Sequence, residues 1–170
     1  THKKYDRLIT LTREIPALPA AVAHPCDANS LGAAVEAAEA GIILPILTGP
    51  AERIRAVADQ AGLNIAPYEI VEAAHSHAAA ATAVTLVRTG RAELLMKGSL
   101  HTDELMSEVM KGDTGLRTGR RVSHLFILDV PTYPKPLLIT DAAINIQPTL
   151  ADKRDIVQNA IDLVRALGIE

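Results

Sequence analysis

The stretch Leu95-Met96-Lys97-Gly98-Ser99-Leu100-His101-Thr102 gathers an ammonium, a glycine and two hydroxyls where an apolar run gives way to a helix beginning with Asp103 and Glu104. The first amides of a helix have no partners within it. A helix start at a strand end therefore offers N–H groups to an anion. In this reading Gly98 lets the backbone approach the ligand, Lys97 supplies charge, and Ser99 and Thr102 supply hydroxyls. The same residues also describe an ordinary strand-to-helix turn capped by Thr102. Asp103 and Glu104 oppose an anion, which separates this loop from a Walker phosphate loop.

Thr140-Asp141-Ala142-Ala143-Ile144-Asn145 is the second candidate, because a carboxylate and an amide interrupt apolar sequence at a strand end. A charge so placed must face a cleft or be paired. Arg117, Arg120 and Arg121 form a basic cluster suited to a phosphate or a diphosphate, or to a solvated loop. His24 with Cys26, and His75 with His77, invite a metal reading, yet no further ligands follow at zinc-site spacing. No metal is expected. No histidine can be paired with Cys26 from sequence, so a thiolate nucleophile is unsupported too.

These residues need elements to hold them. Apolar runs at residues 20–23, 42–47, 68–71 and 92–96 alternate with helical spacing over 31–40, 50–61, 76–89 and 102–110. That alternation describes a layered α/β domain with a largely parallel sheet. Strand-like runs at 124–130 and 137–140 are separated by only Pro131-Thr132-Tyr133-Pro134-Lys135-Pro136, which is too short for a parallel crossover. They should be antiparallel neighbours or belong to different sheets, making the sheet mixed. Thr149-Leu150-Ala151-Asp152 resembles a capping box, and Ile156, Val157, Ala160, Ile161 and Val164 form an apolar stripe that demands a partner.

Of the 170 residues, 48% are hydrophobic and 2% aromatic, a mix that suits small-residue helices packed on a β-branched sheet. The net charge of −3 is spread along the chain, which argues against a nucleic-acid partner. The apolar runs fall short of the roughly 20 residues needed to span a membrane. No signal peptide is expected, and one cysteine fits a reducing cytoplasm.

Four segments carry a resemblance: Ala21-Val22-Ala23-His24-Pro25-Cys26-Asp27, Pro45-Ile46-Leu47-Thr48-Gly49-Pro50, residues 95–105 and residues 137–145. In this order they resemble the phosphate acetyl/butyryltransferases, and especially the transferase module of bifunctional enoyl-CoA hydratase/phosphate acetyltransferases. The match runs from about Tyr5 to the last residue and covers the front half of the family's length. It implies three-layer α/β/α domains similar to the isocitrate/isopropylmalate dehydrogenase-like fold. Residues 1–147 would be the first domain, and 148–170 the opening helix of a truncated second domain.

The implied reaction is acyl-CoA plus phosphate giving acyl phosphate plus coenzyme A, with coenzyme A as substrate and no further cofactor. A carboxylate activates the thiol and polar donors stabilise the oxyanion. The expected catalytic Ser and Asp lie in the family's other half, so this chain alone should be inactive. Lys97, Gly98, Ser99, His101 and Thr102 carry over as the phosphate or acyl-phosphate loop, and Asp141 and Asn145 as cleft residues. Ser107 and Glu108 occupy the place where acetyltransferases of this family use an arginine. A homodimer or larger homo-oligomer is expected. The alternative is a non-catalytic fragment that keeps an anion-binding cleft as an interaction module. A nucleotide-binding dehydrogenase is disfavoured, because no Gly-x-Gly-x-x-Gly follows a strand.

Overall fold

Residues 3–169 are described in the computed structural model of this chain. Strands β1 (Leu18–Ala23) and β2 (Ile43–Gly49) pair in parallel, from Leu18 opposite Ile43 to Ala23 opposite Thr48. β3 (Glu69–Glu72) lies beside β2, and β4 (Leu94–Lys97) lies on the other side of β1, giving the order β3-β2-β1-β4. Every pairing in this sheet is parallel. Parallel strands need crossovers, which are supplied by α2 (Ala28–Glu39), α3 (Ala51–Ala61) and α4 (Ser76–Arg88), while α5 (Thr102–Val109) follows β4.

Side chains alternate across β1, and this sorts the core into two layers. Ala21 and Ala23 pack with Ala80, Ala83 and Leu86 of α4 and Leu105 of α5, whereas Val22 packs with Leu31 of α2, Leu47, and Ile54 of α3. The sheet is thus covered on both faces, which is why β1 reads as an unbroken apolar run. Burying Leu31, Leu47 and Ile54 contributes roughly 1.5–3 kcal/mol each. Alanines at 79, 80 and 83 are fully buried and let α4 lie close to the strands. Gly90, in the left-handed region at φ 75°, ends that helix where a β-carbon would be strained.

The two remaining strands, β5 (Leu125–Leu128) and β6 (Leu137–Thr140), form a separate antiparallel ribbon with Phe126 opposite Ile139. Parallel and antiparallel pairings therefore both occur, divided between two sheets. The ribbon belongs with α1 (Lys3–Thr12) and α6 (Leu150–Ala166). Asp129 anchors α1: its carboxylate accepts from the Lys4 and Tyr5 amides at 3.2 Å and from Lys4 Nζ at 2.7 Å. A negative charge at a helix start is favourable there. Thr149 and Asp152 cap α6 reciprocally, as the sequence pattern anticipates, and Ile156 turns into this unit.

The chain divides into two compact units. One is Ile15–Arg117; the other joins the residues up to Glu14 to those from Thr118 onward.

Candidate functional site

From β1 the chain winds outward through β2 to β3, and α4 then carries it back to place β4 on the opposite side of β1. Such a reversal opens a crevice at the carboxyl ends of the two strands that flank it. The loops there are 24–27, leading into α2, and 98–101, leading into α5.

Hydrogen bonds lock these loops together. The amides of Gly98 and Ser99 donate to the carbonyls of Ala23 and His24 at 2.8 and 2.9 Å. Ser99 Oγ donates to the His24 carbonyl at 2.9 Å and accepts from the Cys26 amide at 3.0 Å. The Ser99 hydroxyl is therefore occupied within the protein and is not an open ligand donor. Gly98 is required for a related reason, since a β-carbon there would sit 2.4 Å from the Ala23 carbonyl oxygen. The close approach that Gly98 permits is to the protein's own backbone rather than to a ligand. Lys97 Nζ folds over the loop and donates to the carbonyls of Leu100 and Gly98 at 2.7 and 3.2 Å.

His101, not Thr102, is the N-cap of α5; Thr102 is the first helical residue, and both are exposed. The capping signal is Glu104, three residues on, whose carboxylate accepts from the His101 amide at 2.8 Å. Its other oxygen accepts from Ser76 Oγ at 2.7 Å and lies 2.8 Å from His77 Nδ1, joining the starts of α4 and α5. The Ser76 hydroxyl, then the His101 amide, hold the Glu104 carboxyl below its usual range. Glu104 thus stays ionised and caps the helix, and its charge still stands against an anion close to it. The neighbouring loop ends in Asp27, the N-cap of α2, whose carboxyl is lowered mainly by the Ser30 amide at 2.7 Å.

The Asp141 turn lies in the other unit and is described by itself. The Asp141 carboxylate accepts from the amides of His124 at 3.1 Å, Ala143 at 3.1 Å, Ile144 at 3.2 Å and Asn145 at 2.9 Å, and also from Asn145 Nδ2. Burial pushes this carboxyl up, but the donors, led by the Ala143 amide and the Asn145 side chain, hold it far below the carboxylate range. A group so held is a poor proton acceptor near neutrality. Asn145 in turn donates to the Val122 carbonyl at 2.9 Å and accepts from Arg121 Nε at 2.6 Å. Arg120 pairs with Asp162 at 2.6 Å, and Arg121 lies 3.8 Å from Asp152. The basic cluster is thus partly neutralised, while Arg117 is exposed.

No group of three or more His, Cys, Asp or Glu that could hold a metal ion occurs among the described residues. His75 instead caps α4, accepting from the Ala78 amide at 3.2 Å. Burial pushes the Cys26 thiol up, with Arg53 opposing, so this thiol is poorly suited to attack. Sequence reasoning weighed His24 only as a ligand. Yet the structure places it where the 24–27 and 98–101 loops join, with its amide donating to the Thr48 carbonyl at 2.7 Å and its carbonyl accepting three hydrogen bonds.

Residues 76–170 match the family described as Phosphate acetyl/butaryl transferase. A phosphate acetyltransferase of Rhizobium meliloti is 62% identical over 98% of this chain and 52% of its own length. A phosphate butyryltransferase of Clostridium beijerinckii is 36% identical over 99% of this chain and 56% of its own. The chain spans about half the length of the curated relatives it matches. Among solved structures, a branched-chain phosphotransacylase from Enterococcus faecalis V583 superposes with a TM-score of 0.68 at 27% identity, covering 89% of this chain and 52% of that one. A phosphotransacetylase from Streptococcus pyogenes reaches 0.81 at 18% identity over 97% of this chain and 59% of that one, a likeness of fold. Since the family match takes in more than half of the chain, including β4, the 97–102 loop and α5, this chain belongs to the phosphate acetyl/butyryltransferase family.

Proposed function

We propose that the protein carrying this chain moves a short acyl group between coenzyme A and inorganic phosphate, converting acyl-CoA and phosphate into acyl phosphate and free coenzyme A. One observation carries the reading: in a chain of this family, the switch-point crevice ends at the start of α5, beside Lys97. Exposed amides at a helix start, joined by the Thr102 hydroxyl, suit a phosphoryl oxygen. His101 and Thr102 would face the substrate, whereas Lys97, Gly98 and Ser99 set the shape of the loop. Asp141 and Asn145 would serve by holding their turn rather than by moving protons.

The thiol-activating carboxylate and the oxyanion donors belong, by the resemblance, to the part of the relatives' length that this chain does not span. Coenzyme A enters as substrate, and no further cofactor is needed for direct acyl transfer. No described helix is long and apolar enough to cross a membrane, and we place the protein in the cytoplasm. We also propose self-association through α6, where Leu150 and Val157 are 85% and 53% exposed on one side. Val157→Asp should then lower the molecular mass in sedimentation, and an unchanged mass would reject that surface.

The test of activity is acetyl- or butyryl-phosphate-dependent acylation of coenzyme A, run on this chain and on a protein of full family length. Thioester formation by the longer protein alone is expected. Binding of phosphate without thioester formation by either would favour the anion-binding module instead.

A further inference from the structure

His24 combines three features that its neighbours do not share. It is a non-glycine residue in the left-handed region, at φ 54°, and it is only 6% exposed. Its ring sits against Ser99, with Nδ1 3.2 Å from the Ser99 carbonyl oxygen and 3.4 Å from Ser99 Oγ. A non-glycine left-handed residue held by surrounding structure at the end of a strand marks a place of function more often than chance.

The carbonyl decides the tautomer. It can only accept, so Nδ1 carries the hydrogen and the neutral ring keeps its lone pair on Nε2. The described buried side-chain nitrogens and oxygens without a partner comprise His124 Nδ1 alone. Nε2 of His24, for which no hydrogen bond is found, is not among these buried unpaired atoms and therefore reaches solvent. An almost fully buried imidazole, oriented through one nitrogen and open at the other, is poised to meet a ligand.

We propose that His24 is an anion-binding residue of this crevice, its Nε2 donating to a phosphate-type oxyanion when the ring carries a proton. Protonation leaves the bond to Ser99 intact and turns the open nitrogen from acceptor to charged donor. Charged and titratable groups on the neighbouring elements are the Cys26 thiol and Asp27 in the same loop, Arg53 of α3, which acts on Cys26, Lys97 of β4, which acts on Asp27, and His101 at the start of α5. Asp27 is held low and Cys26 high, so neither changes charge between about pH 5.5 and pH 8, where an imidazole titrates. His101 could imitate the effect and needs its own control.

The proposal rests on the reading that this crevice receives the phosphate-bearing substrate. Sulfate is the probe, because it keeps one charge state across that range, and amide and imidazole nitrogen shifts of the 170-residue chain report where it binds. Sulfate should shift Nε2 of His24 and bind about tenfold more tightly near pH 5.5 than near pH 8, the strength of one charge-assisted hydrogen bond. His24→Asn should abolish this pH dependence. Asparagine tolerates left-handed backbone and retains a donor for the Ser99 carbonyl, so it removes Nε2 while sparing the loop. His101→Gln, which alters a residue facing the same ligand and so can weaken binding at every pH, should still leave the change between about pH 5.5 and pH 8 that His24→Asn removes.

Loop amides that respond to sulfate while the His24 ring does not would overturn the role of His24 and spare the loop. Dependence lost in His101→Gln but kept in His24→Asn would overturn it likewise. Silence of both ring and loop would overturn the crevice reading as well. Should His24→Asn fail to fold, the Nε2 shift in the unsubstituted protein still decides. Repeating the titration with inorganic phosphate and with coenzyme A identifies whether free phosphate or the nucleotide's phosphates supply the oxyanion.

Discussion

Gly98 shows how one missing β-carbon joins two strands. The Ala23 oxygen at 2.4 Å and the His24 oxygen at 2.7 Å occupy the space a β-carbon would take, and both belong to backbone that is itself hydrogen-bonded. Gly98→Ala should therefore lower stability by roughly 1–3 kcal/mol, as overpacking of a tight site does. A urea midpoint equal to that of the unsubstituted protein would show that the loop relaxes freely. Asp141 makes the opposite kind of contribution, through charge. Its carboxyl titrates lower in the folded than in the unfolded chain, where it sits at about 3.9, so its stabilisation is full above that pH and is lost as pH falls further. The stability gap between the protein and Asp141→Asn should be steady from about pH 8 to pH 5 and narrow below about pH 4. A gap that widens on acidification would contradict this. Gly98, Ser99 and Asp141 stand out in the sequence, but which partners they serve is not visible there. The atoms that meet Gly98 and Ser99 come from the end of β1 and the loop after it, more than seventy positions earlier.

At the scale of elements, periodicity carried most of the information. β1 to β4 and α2 to α5 lie where apolar runs and helical spacing alternate, since burial on both sheet faces writes itself directly into residue type. The same logic makes α4 sensitive to size: Ala80→Leu, set against β1, should cost about 1–3 kcal/mol by overpacking. An unchanged melting temperature would mean that the face is looser than its burial implies. α1 escaped notice because its apolar positions, Tyr5, Leu8 and Ile9, sit among lysines and arginine and because its cap, Asp129, is remote in sequence. The start of α5 was misplaced by one residue for a similar reason. Histidine is an unusual cap, and Thr102 was the more obvious one, although Glu104 stands at capping distance from His101. The ribbon β5–β6 was readable from the short proline-rich link, which excludes a crossover, but its separation from the parallel sheet was not.

For the molecule as a whole, the division into two units predicts autonomy for one of them. Residues 15–117 contain all four parallel strands, both core layers and the hydrogen bonds joining the 24–27 and 98–101 loops. A fragment of those residues should give dispersed amide resonances and a cooperative unfolding transition, and collapsed resonances would show that it depends on the rest. The other unit is assembled from both flanks of that segment, with Lys4 and Asp129 meeting across 125 positions. A ribosome delivers a chain in order, so α1 cannot acquire its anchor until Asp129 has been synthesised. At ~5–20 residues per second that is a wait of roughly 6–25 s. In the cell α1 would thus wait for its anchor, while residues 15–117, made in between, can already take their shape.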